Sequence, residues 1–297
     1  MNLNKQCQIH KIINPKQQNK FILRVSLILA LLLLVTPILF AQIKSPKEIE
    51  RDLKQAYQKI LSARFEEDDY YFEKVDSLNV KFRDMLSEYT SLYPETLVYP
   101  FDSLKESKID IVNSEDGLLR IYSWDTWAGG TFHFFENVFQ YRSEGKVFSK
   151  VYFDIPSNDQ VIYIPFYSQI FSLKTKNKIY YLAINNGIYS AKDASQSIQI
   201  FAIENNEIND RVELIQTKEG MVNSIGVMFD FFSIVNRQER PFQLIKYDPK
   251  SKIIYIPIVL DDGKVTDQYN VYQFNGKYFE LILIQVNSDL KKKLSKL

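Results

Sequence analysis

The sequence predicts a mainly β protein with an N-terminal helical segment, and three observations carry that expectation. Apolar residues recur at spacings of three and four between Ser45 and Leu92. After Pro100, short runs rich in Tyr, Phe, Ile and Val alternate with turn residues, the texture of half-buried strands. Those runs fall into three groups of four, so one antiparallel unit is repeated, either as a propeller-like meander or as the hairpins of a β-sandwich. The expected division is a signal peptide over 1–41, a helical segment over 42–95 packing on the β domain, and an all-β domain over 96–297.

The leader comes first. Val25 to Phe40 is an uncharged, largely apolar run, preceded by Lys5, Lys11, Lys16, Lys20 and Arg24 and followed by Ala41-Gln42, with no acid before Glu48. A basic start, a short apolar stretch and a small residue at the cut make a secretory signal. The run falls short of the roughly 20 residues of a spanning helix, and Pro37 disfavours a continuous helix near its end. The long basic region keeps a retained N-terminal anchor as the alternative. Cys7 precedes the apolar run, where lipoprotein attachment has no place. The expected location is therefore periplasmic, cell-surface or secreted, with membrane contact only if the leader is kept.

Composition then excludes whole classes of function. Loss of five positive charges and no acid turns a formal +1 into −4, so there is no bulk attraction for nucleic acid. The basic tail Lys291-Lys292-Lys293 with Lys296 reads as a solvated terminus. The remaining 256 residues contain no cysteine and one histidine, His133. No disulfide framework and no cysteine nucleophile is available, and one histidine cannot furnish a zinc site. No G-x-S-x-G, P-loop or G-x-G-x-x-G pattern occurs. Nothing in the inventory calls for a cofactor, a metal or catalytic residues.

The helical segment opens at Ser45-Pro46-Lys47-Glu48, where a capping serine, a proline at the first helical position and a glutamate three residues on form a start signal. Ile49, Leu53, Tyr57, Ile60, Leu61 and Phe65 supply one stripe. After the acids Glu66 to Asp69, a second stripe follows: Val75, Leu78, Phe82, Met85, Tyr89 and Leu92. Tyr93-Pro94 ends it. Two packed helices, or one helix broken near Asp69, fit this pattern.

The first β unit is expected over Lys108–Val112, Leu118–Trp124, Thr131–Tyr141 and Lys146–Phe153. The second runs Ile170–Lys174, Lys178–Ile184, Ser197–Ile203 and Arg211–Gln216. The third runs Phe242–Tyr247, Lys252–Val259, Gln268–Phe274 and Lys277–Leu283, with Asn275-Gly276 as a hairpin signal. Extra strands are expected at Val161–Phe166 and Ser224–Ile234, and a helix over Ser288–Leu297.

One window is chemically unusual. Residues Tyr122 to Glu136 hold both tryptophans, Trp124 and Trp127, the pair Gly129-Gly130, and His133. Tyr122-Ser123-Trp124-Asp125-Thr126 with Gly129-Gly130-Thr131, preceded by Pro100-Phe101-Asp102-Ser103-Leu104, resembles the core of a group of uncharacterised exported β-rich proteins. The resemblance spans residues 75 to 285 and implies the same general layout and no activity. Strand alternation puts His133 and Glu136 on opposite faces, whereas Asp125 can reach His133 across the hairpin. The two glycines are expected to serve the turn through positive φ.

In a repeated meander the loops Thr126–Gly130, Asn185–Gln196 and Leu260–Asp267 emerge on one rim, where binding residues gather. The expected ligand-binding set is Trp124, Asp125, Trp127, His133, Tyr189, Asp261 and Asp262, with Asp193 and Asp267 on the same rim. Asp261-Asp262-Gly263 reads as a turn, since the spaced calcium pattern is missing. Two classes of function follow. One is an exported, non-enzymatic module binding an extracytoplasmic protein or other ligand, including glycans. The other is a carboxylate hydrolase of glycans, drawing on pairs among Asp125, Glu136, Asp154, Asp261 and Asp262.

Overall fold

A computed structural model describes residues 43–65, 71–152 and 164–284. The expected leader and terminal helix lie outside the described residues, as does Asp154. No helix among the described residues is long and apolar enough to cross a membrane. The folded unit beginning at Pro46 is mainly β with a helical N-terminal segment.

Helix α1 spans Pro46–Ala63 and α2 spans Tyr71–Leu92. The α1 stripe buries Ile49, Leu53, Tyr57 and Ile60 as expected, while Phe65 stays 76% exposed beyond the helix end. On α2 the buried line is Val75, Asn79, Phe82, Leu86 and Thr90, rotated from the apolar stripe. Leu78, Met85 and Tyr89 are only partly buried against the same core. The line includes polar residues because it meets polar partners on the sheet. Thr90 shares a 2.6 Å hydrogen bond with Ser149, and its carbonyl accepts from Gln140 Nε2. A 3-10 turn at Pro94–Leu97 and the short helix α3, Asp102–Glu106, lead to the sheets. Buried Glu50 ties α1 to α3, accepting from the Ser103 amide at 2.7 Å and the Tyr99 hydroxyl at 3.1 Å.

Three sheets follow, antiparallel except for one parallel pairing in the third. The first is a meander of β1 (Asp110–Asn113), β2 (Leu119–Asp125), β3 (Phe135–Ser143) and β4 (Lys146–Tyr152). The second contains β5 (Phe166–Lys174), β6 (Ile179–Ile188) and β7 (Asp193–Glu204), with the short β8 (Glu207–Asn209) paired to β7. Its remaining strand is β11 (Ser224–Asp230), hydrogen-bonded to β7. The third runs in the order β10-β9-β15-β14-β13-β12, built from β9 (Ile215–Gln216), β10 (Met221–Val222), β12 (Lys246–Asp248), β13 (Ile253–Val259), β14 (Val265–Phe274) and β15 (Phe279–Ile284).

Several expected strands move, each for an identifiable reason. Arg211–Gln216 is not the fourth strand of the second unit. The left-handed pair Asn205-Asn206 (φ 52° and 63°) turns the chain back tightly into β8. Ile215 then pairs in parallel with Phe279 of the third sheet. Strand β12 starts at Lys246, not Phe242, because the Gln196 side chain takes over the preceding backbone. Its Nε2 donates to the Phe242 carbonyl and its Oε1 accepts from the Ile245 amide at 2.7 Å. Strand β3 starts at Phe135, not Thr131, since the His133 amide donates to the Ile188 carbonyl of the second sheet. Asn275-Gly276 lies in a four-residue connection between the paired Phe274 and Phe279, so β15 begins later than Lys277.

The layers stack face to face. Tyr122, Trp124 and Val138 of the first sheet share a core with α1 and α2. Leu119, Ile121, Phe139 and Tyr141 on its other face meet Tyr167, Tyr181 and Phe201 of the second. Alternate residues Leu182, Ile184, Ile198 and Ile200 then meet Ile254, Ile256, Tyr272 and Phe279 of the third. The period of two along β6 and β7 thus feeds two cores from one sheet. The helices cover the outer face of the first sheet, and this layered packing is compatible with the sandwich alternative; no closed propeller ring is seen among the described residues.

Candidate functional site

Seven ligand-binding residues were expected, and the three loops of the expected rim do meet. The β2–β3 loop touches the β6–β7 loop through the 3.1 Å bond from His133 to Ile188 and through the Phe132 and Tyr189 rings, 6.0 Å apart. The β6–β7 loop reaches the end of β11, where the Phe231 amide donates to the Lys192 carbonyl at 2.7 Å. The Asp230 amide in turn donates to the Gly263 carbonyl of the β13–β14 loop at 2.8 Å. Beneath them Ala194, Phe229, Ile234, Phe242 and Leu244 form a small core.

Strand pairing brings Asp125 opposite Phe135, and the Thr126 amide closes the hairpin on the Phe134 carbonyl at 2.8 Å. His133 then falls beside Asp125, with Nδ1 2.5 Å from Oδ2. That hydrogen bond raises the imidazole pKa above its usual 6.5, against burial and the nearby Arg64 cation, which lower it. The other carboxylate oxygen accepts the Trp127 amide at 2.9 Å, an Asx-type turn that holds Trp127 at φ 57°.

Trp127 is therefore held at its backbone and at its ring. Its indole N–H donates to the Tyr57 hydroxyl at 3.2 Å, its carbonyl accepts from Tyr71 at 2.7 Å, and the Arg64 guanidinium lies 3.8 Å from its ring centroid. Burial raises the Tyr57 pKa far above the phenol range. A guanidinium over an indole face is a favourable cation–π contact. The ends of both helices thus join the rim, with Phe65 and Phe72 exposed beside Arg64 and Tyr71.

Positive φ in this loop belongs to Trp127, not to Gly129 or Gly130 as the sequence suggested. Gly129 is needed for close approach instead: a Cβ there would lie 1.9 Å from the Phe132 carbonyl oxygen, whereas one at Gly130 would meet nothing within 4 Å.

The other expected residues are placed as follows. Trp124 is fully buried, its Nε1 donating to Asn79 Oδ1 at 3.1 Å, so it supports the loop from below and is out of reach of a ligand. Tyr189 is half-buried and its hydroxyl bonds Ser195 at 2.8 Å. Asp193 accepts from Ser190 at 2.8 Å. Asp261 and Asp262 are exposed, and Asp262 accepts the Lys264 amide at 3.0 Å within its turn. Asp267 is exposed further along β14. Glu136 faces the helices and pairs with Arg83 at 3.3 Å. Its acidity is weakened, mainly by burial.

Sequence reasoning missed Tyr57, Arg64, Tyr71 and Asp110. Tyr57 belonged visibly to a helix stripe, but nothing local tied it to a loop 70 residues on. Asp110 pairs across from Ser123, so alternation puts it on the same sheet face as Asp125. Burial raises its pKa to about 6. Among the described residues, no group of three or more His, Cys, Asp or Glu is placed to hold a metal ion. No known family and no curated protein sequence matches the chain.

Proposed function

We propose that the protein is an exported, non-enzymatic binding module that holds a protein partner on this rim. The observation that carries the reading is the gathering of exposed apolar side chains on the meeting loops and helix ends. Phe65 is 76% exposed, Phe72 65%, Phe134 37%, Phe232 60% and Leu260 49%. Exposed apolar groups gathered on one surface mark interaction sites, and aromatic anchors dominate interface energetics. The pinned Trp127 loop adds preorganisation, which lowers the entropy lost on binding. The carboxylates a glycan hydrolase would draw on are dispersed. Asp125 is engaged by His133, Glu136 by Arg83 on the opposite sheet face, and Asp262 by its own turn.

A pull-down from an envelope fraction tests the reading, using wild type, Trp127→Ala and the double variant Phe134→Ser with Phe232→Ser. Retention of specific proteins by wild type and their loss from both variants is the expected result. Equal recovery by all three would remove the rim from consideration, and recovery of glycan alone would replace the protein partner.

A further inference from the structure

One cavity shares none of its lining residues with the rim. It is a cleft of about 550 Å³ at the seam between the second and third sheets, lined by Gln216, Thr217, Glu219, Asn270, Tyr272 and Glu280 among others. That volume is in the range of small-molecule sites.

The fold builds this cleft from three departures from a plain meander. First, β9 and β10 form a hairpin that bridges the sheets. The Phe279 amide donates to Leu214 on one side, and the Ile200 amide donates to Asn223 on the other. Its four-residue tip, held by the Thr217 amide on the Gly220 carbonyl at 2.8 Å with Gly220 at φ 137°, carries Lys218 and Glu219 into one wall. Second, the pairing of β14 with β15 slips between Val271 and Tyr272, so Ile282 has no partner opposite. Such bulges re-aim side chains and are frequent beside functional sites; here Glu280 and Leu281 line the cleft. Third, Asn270 and Tyr272 alternate onto the inner face of β14, towards the second sheet.

Tyr272 is the informative residue. It is 7% exposed, its ring belongs to the shared core, and it lines the cleft. Burial and the nearby Glu219 raise its pKa, so it stays a neutral donor.

We propose that this cleft binds a neutral, hydroxyl-rich ligand of monosaccharide size. The lining offers donors and acceptors together: amides from Gln216 and Asn270, hydroxyls from Thr217 and Tyr272, and carboxylates from Glu219 and Glu280. Ile225 and Leu281 add an apolar strip, which fits the C–H face of a pyranose whose hydroxyls reach the polar groups. Two carboxylates against one lysine, Lys218, disfavour an anion. The site stands independently of the rim.

Titration of the purified protein, labelled with nitrogen-15, with free glucose, galactose and N-acetylglucosamine tests the proposal by amide shifts. At least one sugar is expected to move residues 216–219, 270–272 and 280–281 and to leave the 126–134 loop unmoved. Tyr272→Phe keeps the core ring and is expected to weaken that sugar about twofold to tenfold, the effect of one lost neutral hydrogen bond. Asn270→Ala, at a half-buried position, is expected to do the same, with dispersed spectra confirming that each variant folds. Shifts of equal size with glycerol would mean an adventitious additive only and would overturn the site. Absence of saturable shifts, or saturation by ethylenediamine and no sugar, would overturn it as well.

Discussion

Asp125 and His133 form a 2.5 Å hydrogen bond between Oδ2 and Nδ1 across the open end of the β2–β3 hairpin. His133 is the single histidine after residue 41, so in protein prepared without residues 1–41 the imidazole signal reports on this pair alone. Its pKa is expected above 6.5, and Asp125→Asn is expected to bring it to 6.5 or below, because burial and Arg64 then act unopposed. A raised folded pKa gives stability that is complete below the unfolded value and fades as pH climbs through the folded one. The stability difference between wild type and Asp125→Asn should therefore shrink as pH rises past 6.5. Nuclear magnetic resonance titration of the imidazole with urea unfolding at several pH values checks both. An unchanged pKa in the variant would refute the pairing.

Trp124 and Asn79 join α2 to the first sheet. Asn79 Nδ2 donates to the Val75 and Thr126 carbonyls at 2.9 and 2.8 Å, while its Oδ1 accepts the indole N–H. Asn79→Leu leaves two buried groups without partners and should cost about 2–4 kcal/mol. Trp124→Ala also empties the space against the Phe82 ring, 5.0 Å away, and should cost about 3–5 kcal/mol. Trp127→Ala, at a half-buried position, should cost less than either. Denaturant midpoints measured on all three decide the order.

Adjacent glycines give a sharp contrast. Gly129→Ala forces a Cβ against the Phe132 carbonyl and should cost about 1–3 kcal/mol while shifting the 126–134 amides. Gly130→Ala meets open space and should be near neutral. Equal effects at the two positions would show that the loop does not fold back as described.

What the sequence disclosed divides by range. Asn205-Asn206 and Glu144-Gly145 lie in two-residue turns with both members at positive φ, a requirement their chemistry announces locally. The reach of Asp125 to His133 followed from strand pairing alone. The shortened strands at Phe242 and Thr131 were hidden, because a side chain from β7 and a carbonyl from β6 capture those backbones from across the fold. Asp110 was equally invisible. Its importance lies in desolvation by neighbours that no spacing rule reveals.

That desolvation makes Asp110 a destabilising residue at neutral pH. Its pKa rises from 3.8 in the open chain to about 6 in the fold, against the opposing effect of Lys108. Below 3.8 the carboxyl is protonated in both states and the buried charge costs nothing. As pH climbs through about 6 the folded chain must ionise it, and stability falls by an amount on the order of 2–3 kcal/mol. Asp110→Asn should therefore raise stability at pH 7, leave it nearly unchanged at pH 3.5, and flatten the slope between. Thermal melts of the two proteins across that range provide the check. A variant less stable than wild type at pH 7 would mean that the Asp110 carboxylate is needed in its charged form, and would place it with Asp125 in the chemistry of the loop.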